Sequence, residues 1–380
     1  MNQRTTWRQI LKRYSASYRS WLAETDREFA SIDRLATHLS KYLIACIRSE
    51  ADARQFWNVI PDVRAACNDP ATYTLPWAAE AYAYVHLLQR YHRMWAVLDY
   101  LAANAVLPLG ARGVRALDIG TGPAPALYAI DDYYAALNDY AKEQNVLPLM
   151  VPPATLDCIE NSPAMVSFMH HFSEYSQRRG PFGPTITDFN GLDFQAEREY
   201  HFRNYRYETY WDPQIEAYEE WYDPGLASEE SSRLFRYRLV VFSNFLTLGD
   251  TVSQFEEELH ALFSDLRAGS IVVVLGGTGG QYQEVYGKLT TIATDAHLIQ
   301  DRWDTNKLGK ADERTATRIK AAQHEVYKHL TKLAVDPALP QTKKWPDYWM
   351  PQSSSKARSK FALRVFRSGR WPPKRESRTA

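Results

Sequence analysis

Apolar residues recur at steps of three and four along the first third of the chain. Phe29, Ile32, Leu35, Leu39, Leu43 and Ile47 make one such series. Trp77, Ala81, Val85, Leu88, Trp95, Leu98 and Leu101 make another. That spacing places side chains on one face of an α-helix, so each series predicts an amphipathic helix packed on a core. Pro61 and the turn sequence Asn68-Asp69-Pro70 are expected to separate the two.

From Gly113 the pattern changes to short apolar runs alternating with helical periodicity. Val114–Ile119, Thr155–Ile159, Thr185–Thr187, Arg238–Phe242 and Ser270–Leu275 read as strands, the last being the most strand-like. Helices are expected over Ala124–Lys142, Ala164–Tyr175 and Thr251–Arg267, with Gly269 ending the last. Strands alternating with helices of this length imply crossover connections and a mostly parallel sheet. The expected fold is therefore α/β, with helices on both faces of the sheet. An all-α domain over residues 1–110 precedes a sheet domain over 111–370.

Two segments depart from the alternation. Residues 195–236 are crowded with aromatics, among them Phe202, Tyr205, Tyr207, Tyr210, Trp211, Tyr218, Trp221 and Tyr222. That content is too apolar for a disordered linker. An insertion of this length serves as a lid over a ligand or as a packing module. It is also acidic: Glu208 to Glu230 holds eight acids and no Lys or Arg. The C-terminal region is the opposite, with nine bases against one acid from Lys356 to Arg378. Within it Phe361–Phe366 alternates like a strand, and residues 371–380 read as a basic tail.

Composition narrows the function classes only a little. Forty-five bases balance forty-five acids, so net charge excludes no partner. Three cysteines make neither a disulfide framework nor a zinc quartet. The ten histidines show no pairing with metal-ligand spacing, and no metal site is expected. The start of the chain lacks the apolar core of a signal peptide, and no apolar run is long enough to span a membrane. A soluble, cytoplasmic protein is the expectation.

The chemistry concentrates where the first strand ends, in the stretch LDIGTGPAPALYAI at 117–130. Gly120 and Gly122 let the backbone turn sharply and approach a ligand, and the free N–H groups of the following helix point into the same space. Asp118 stands just before the loop. The second strand ends in another acid, Glu160, placed where a carboxylate could accept both hydroxyls of a ribose. Asn161-Ser162-Pro163-Ala164-Met165 follows it. The third strand is followed by Asp188 and the fourth by Ser243-Asn244-Phe245-Leu246.

This series resembles the class I S-adenosylmethionine-dependent methyltransferases over about residues 113–280. LDIGTGPAPALYAI is similar to their first motif, with Ala124 where a third glycine is usual. LDCIENSPAMVSFM resembles their second, and RLVVFSNFLTLGD and LRAGSIVVVLGG resemble the fourth strand and the closing helix and strand. The resemblance implies a Rossmann-like sheet and S-adenosylmethionine as cofactor. It implies that Asp118, Gly120 and Gly122 line the methionine end and Glu160 holds the ribose, with Thr121, Asn161 and Asn244 also binding the cofactor. Asp188 would contact the adenine, with Asp193 competing. A narrower likeness joins AAEAYAYVHLLQRYHRMWAVLDYL and LGGTGGQY to methyltransferase-like proteins of the mitochondrial small ribosomal subunit. Their metal-binding cysteine cluster has no counterpart here.

A nicotinamide-dependent enzyme shares the strand–glycine–helix logic. Its third glycine is absent, and the acid precedes the first glycine. A P-loop is excluded because no Gly-Lys-Ser/Thr follows. Asn244 could face the methyl acceptor or cap its own loop. The Pro-Pro-aromatic sequence of nucleobase amino-methylases is missing after it. His201, inside the aromatic insertion, is the one histidine placed as a candidate base. The expected function is methyl transfer to a small molecule or a peptide. The alternatives are RNA, gripped by the basic C-terminal region, and a non-catalytic binding protein of the same fold.

Overall fold

The computed structural model describes residues 7–65, 70–109, 114–146, 149–150, 154–179, 183–184, 186–190, 209–212, 217–220, 237–243, 245–266, 269–301, 313–333 and 361–369. Helices α1 (Trp7–Glu24), α2 (Arg27–Cys46) and α3 (Glu50–Ala65) come first. The stripe predicted from Phe29 to Ile47 is α2, and it buries Ile32, Leu35, Leu39 and Leu43. Pro61 does not divide helices; it lies inside α3. There it leaves one carbonyl of the preceding turn without an N–H partner. Phe56, Trp57, Val59, Ile60 and Val63 are all buried on α3, and burial of that apolar face offsets the lost bond.

The second predicted stripe forms one rod in three parts: α4 (Ala78–Tyr82), a π-helical turn (Ala83–Leu87) and α5 (Leu88–Ala103). The π turn widens the helix by one residue per turn and changes which side chains share a face.

The sheet follows. Its strands are β1 (Arg115–Ile119), β2 (Thr155–Ile159), β3 (Ile186–Asn190), β6 (Tyr237–Ser243), β7 (Ile271–Gly276), β8 (Leu298–Gln300) and β9 (Ala362–Ser368). Within the aromatic insertion, β4 (Thr209–Asp212) pairs antiparallel with β5 (Ala217–Glu220). The seven-stranded sheet has the order β3-β2-β1-β6-β7-β9-β8. The β1, β2, β3, β6 and β7 ladders are parallel. β9 runs antiparallel between β7 and β8. The order reverses between β1 and β6, so a crevice opens at the carboxyl ends of those two strands.

Helices α6 (Pro125–Glu143) and α7 (Pro163–Gln177) follow β1 and β2, and α8 (Gly249–Gln254), α9 (Glu256–Asp265) and α10 (Gly280–Asp295) flank β7. The strands alternate between two apolar cores. Ala116, Leu239, Val241, Ile271, Val273 and Leu363 face the core shared with α6, α7 and the N-terminal helices. Leu117, Ile119, Val240, Phe242, Val272 and Val274 face the core shared with α8, α9 and α10. Burial on both faces is what makes these strands read as continuous apolar runs.

The single helix predicted over Thr251–Arg267 is two, broken at Phe255, whose ring tilts against Phe245 at 5.4 Å. Asp188 does not follow β3 but lies within it, opposite Asp157 of β2. The strand begins and ends later than its sparse apolar residues suggest.

One long helix has no counterpart among the elements the apolar pattern predicts. Helix α11 (Glu313–Leu333) lies in the chain between β8 and β9 and packs on α2. Arg318 donates to Asp33 and, at 2.8 Å, to the Thr37 hydroxyl. The Ser40 hydroxyl donates to Glu325 at 2.7 Å.

Candidate functional site

The loop between β1 and α6 is held down by the end of β2. The N–H groups of Gly120 and Thr121 both donate to the Ile159 carbonyl, at 2.9 and 3.2 Å. The Gly122 N–H donates to Glu160 Oε2 at 2.7 Å. Pro123 has no N–H, and the Ala124 N–H closes back on the Thr121 carbonyl at 3.1 Å. Three consecutive turns of φ make this path: +66° at Gly120, +57° at Gly122 and +61° at Ala124. Ala124 thus holds a left-handed conformation at the N-cap of α6 without a side-chain cap, and Pro125 takes the first helical position.

A Cβ on Gly120 would stand 2.3 Å from the Phe245 ring, so that ring packs directly on the glycine backbone. At Gly122 the nearest atom to such a Cβ would be a Tyr82 ring carbon at 3.5 Å, an ordinary contact. The loop is therefore closed on one side by the segment after β6 and on the other by the end of α4.

The motif after β2 has a local physical reading. Ser162 caps α7 by accepting from the Met165 N–H at 3.4 Å, and Pro163 opens the helix. The Ser162 N–H donates to Glu160 Oε1 at 2.9 Å. Glu160 is thus held at both oxygens by backbone. It is 8% exposed, and burial pushes its carboxyl up against the pull of the Ser162, Gly122 and Asn161 N–H groups. Each oxygen keeps a lone pair, enough for a ribose diol. Asn161 beside it is exposed.

Asp118 is completely buried. Its Oδ2 accepts from the Thr121 hydroxyl at 2.5 Å, while Oδ1 has no hydrogen-bond partner among the described residues. Burial raises its carboxyl to about 7, with Glu160 adding to the rise and Thr121 and Arg90 opposing it. A buried acid left half-satisfied calls for a donor or a cation.

Three residues that the motifs did not single out complete the surroundings. Phe245 lies on Gly120, Tyr82 lies against Gly122, and Arg90 donates to the Tyr82 hydroxyl with its guanidinium 4.8 Å from that ring. The His86 ring meets Tyr82 edge-on at 4.9 Å. Tyr82, His86 and Arg90 lie four apart on the rod, and the π turn, which contains His86, separates Tyr82 from Arg90. The signal was present in the sequence: an arginine eight residues after a tyrosine inside an apolar stripe, where a charge needs a partner.

Of the residues expected to bind the cofactor, Asp118, Gly120, Thr121, Gly122 and Glu160 converge here, with Asn161 adjacent. His201 and Asn244 lie outside the described residues, and so does the side chain of Asp188. Of the basic C-terminal region, Arg364 stacks 4.4 Å from the Tyr286 ring and Arg367 pairs with Asp301 at 2.6 Å. Those two charges are spent inside the sheet. Among the described residues, no helix is long and apolar enough to cross a membrane.

Numbered within the main sheet alone, the strand order is 3-2-1-4-5-7-6 with the seventh antiparallel. The chain has the fold of the class I methyltransferases.

No family model and no curated protein sequence matches the chain. Solved structures match at low similarity. Magnesium protoporphyrin IX methyltransferase from Synechocystis PCC 6803, with bound S-adenosylhomocysteine, is 10% identical. That match covers 57% of this chain and 76% of the other at a TM-score of 0.31. Human N-acetylserotonin methyltransferase, in complex with S-adenosylmethionine, is 13% identical over 67% of this chain and 64% of its own, TM-score 0.26. An arsenic(III) methyltransferase from Chlamydomonas reinhardtii is 11% identical over 70% and 66%, TM-score 0.27. Likenesses this distant carry no conclusion about activity.

Proposed function

We propose that the chain binds S-adenosylmethionine across the carboxyl ends of β1 and β2 and transfers its methyl group to a small-molecule acceptor. One observation carries this reading. The N–H groups of Gly120, Thr121, Gly122 and Ala124 are all committed to acceptors within the protein. A pyrophosphate-binding loop needs those donors free. What the site offers is two buried acids, Asp118 and Glu160, which suit hydroxyls and positive charge. A nicotinamide dinucleotide is therefore disfavoured, and a cofactor with a ribose diol, an ammonium and a sulfonium is favoured.

The residues present fit that cofactor. Glu160 accepts from the ribose hydroxyls. Asp118, with its unpartnered Oδ1, complements the amino group or the sulfonium. Gly120 and Gly122 allow close approach of the loop backbone. When bound, the cofactor supplies an already activated methyl group. The protein then has to position the acceptor in line and exclude water, with a base needed only for a reluctant acceptor. His201 is the candidate for that base and Asn244 for an acceptor contact. Residues 1–110 would enclose the acceptor; the 195–236 insertion, expected to share that role, lies outside the described residues apart from β4 and β5.

Calorimetric titration with S-adenosylhomocysteine tests the reading. Binding is expected, with Glu160→Ala weakening it by about tenfold or more, as for a lost pair of charge-assisted hydrogen bonds. No binding at millimolar concentration overturns it, and unchanged affinity in Glu160→Ala overturns the ribose assignment.

A further inference from the structure

A helix widened by one residue has to account for its own backbone. Where N–H groups that reach back five residues give way to groups that reach back four, one carbonyl is passed over and needs a donor from elsewhere. The π turn at Ala83–Leu87 takes such a donor from α11, 239 residues away in sequence. Gln323 Nε2 donates to the Tyr84 carbonyl at 3.0 Å. The Tyr84 hydroxyl returns a bond to the Gln323 carbonyl at 3.3 Å. Both residues are buried. The Gln323 Oε1 has no hydrogen-bond partner among the described residues, yet turning the amide over would set that oxygen against the Tyr84 carbonyl. The amide is therefore fixed by its donor, with its acceptor left unpaired.

The turn decides what meets the glycine loop. Successive residues of an α-helix are about 100° apart, so Tyr82 and Arg90 would stand about 80° out of line on an uninterrupted rod. The residue taken up by the wide turn makes their spacing act as about seven ordinary residues, within about 20° of alignment. That alignment is present. Arg90 donates to the Tyr82 hydroxyl with its guanidinium 4.8 Å from the ring, and a Tyr82 ring carbon stands 3.5 Å from where a Cβ on Gly122 would be. Tyr84, two residues on, turns to the other side, where its ring meets Phe56 of α3 edge-on at 5.7 Å.

Helix α11 is a firm support for that donor. Besides the bonds of Arg318 and Ser40, His329 Nε2 donates to the Ile47 carbonyl, at the end of α2, at 2.7 Å. The Tyr327 ring packs on Trp57 of α3 at 5.6 Å. The turn is thus held from outside the rod by a helix tied to α2 and α3.

We propose that Gln323 is a positioning residue for the site at the glycine loop: through the Tyr84 carbonyl it keeps the widened turn, and through the turn it sets Tyr82 against Gly122. The proposal rests on the cofactor reading above for what that site binds. It makes the affinity of the loop for its cofactor depend on an amide in a helix that enters the chain only after β8.

The test follows two quantities on the full chain: affinity for S-adenosylhomocysteine by calorimetry, and backbone amide hydrogen exchange in residues 80–91 and 117–124 without ligand. Gln323→Met keeps the length of the side chain and removes the donor. It is expected to weaken binding about fivefold, as for one neutral hydrogen bond lost, and to speed exchange in both segments. Leu330→Val, about two turns along the same buried face of α11, is expected to lower the melting temperature and change neither quantity. In a Tyr82→Ala background Gln323→Met should add no further loss of affinity. If Gln323→Met does not fold, Tyr84→Phe, which removes only the returning bond, carries the comparison with the same signs. Unchanged affinity in Gln323→Met, equal effects in Leu330→Val, or an undiminished loss in the Tyr82→Ala background overturns the proposal. If the unsubstituted protein does not bind S-adenosylhomocysteine while Gln323→Met still speeds exchange at the glycine loop, the positioning stands and the cofactor reading alone falls; if exchange is unchanged as well, both fall.

Discussion

At the residue scale, the loop after β1 ranks its own positions. Gly120 and Gly122 share a left-handed φ but not their surroundings. Gly120→Ala must both hold that φ and displace the Phe245 ring, whereas Gly122→Ala meets only ordinary contact. The left-handed conformation costs about 1–2 kcal/mol for a residue with a Cβ. Gly122→Ala is expected to cost about that much in chemical denaturation, and Gly120→Ala more, with Phe245→Ala relieving the excess in the double variant. Equal costs would mean that Phe245 does not press on the loop. Ala124 shows that the chain already tolerates one such Cβ, buried at the N-cap of α6. Its methyl is a strain on the loop and no barrier to a ligand. Asp118 gives a second expectation. Its carboxyl titrates near 7 in the folded protein, above the ordinary 3.8. Its proton is held more tightly folded than unfolded, so the associated stability is complete below about pH 4 and is lost as pH rises to about 7, on the order of 4 kcal/mol. Asp118→Asn should flatten stability across that window, measured by urea unfolding at pH 4, 5.5 and 8. A variant with the wild-type pH slope would show that Asp118 does not carry it.

At the element scale, the site depends on a change of helical register. The π turn at Ala83–Leu87 lets Tyr82 reach Gly122 while α5 keeps its own stripe in the core. Deleting Val85 should restore ordinary helical bonding and rotate α4 by about 100° about the rod. Tyr82 then leaves the loop. The variant is expected to keep its helical circular dichroism and lose most of its affinity for S-adenosylhomocysteine; full affinity would make the π turn a packing detail. The sequence showed the rod as periodic, because a one-residue widening leaves steps of three and four intact on either side. It showed β1, β2, β6 and β7 because both their faces are buried and their apolar runs unbroken. It did not show α3, whose proline argues against a helix when its burial cannot be seen. Nor did it show α11, where Glu, Arg, Lys and His dominate and only Ile319, Ala322, Val326 and Leu330 mark the buried face. The acids at the site were legible because each stands at or next to a strand's carboxyl end, Asp118 two residues before Gly120 and Glu160 before the turn Asn161-Ser162-Pro163. Tyr82 and Arg90 carry only a weak mark, a charge inside an apolar stripe, and Phe245 only its place after a strand; that they meet the glycine loop depends on packing between elements remote in sequence.

At the scale of the whole molecule, the helices before β1 are bound into the sheet's own core. One apolar cluster runs from Ile10, Tyr18 and Leu43 through Leu87, Tyr91 and Trp95 to Tyr133, Val241, Val273 and Val365. Helix α11 closes the arrangement, since the chain leaves the sheet after β8, packs on α2, and returns as β9. Arg318 is central to that return. It is 15% exposed and donates to Asp33 and Thr37. Asp33 is 47% exposed, so water replaces the lost donor there, and removing Arg318 is expected to cost about 0.5–1.5 kcal/mol. The cluster being shared, the cost should fall on the molecule as a whole. Differential scanning calorimetry is expected to show one transition for residues 1–110 and the sheet together, lowered in temperature but still single in Arg318→Ala. Two transitions in the unsubstituted protein would mean that the helical region holds a core of its own. A single one means that a ligand at the glycine loop, on which Tyr82 of the helical region packs, sits on one cooperative unit. Ligand binding there would then raise the melting temperature of the entire protein.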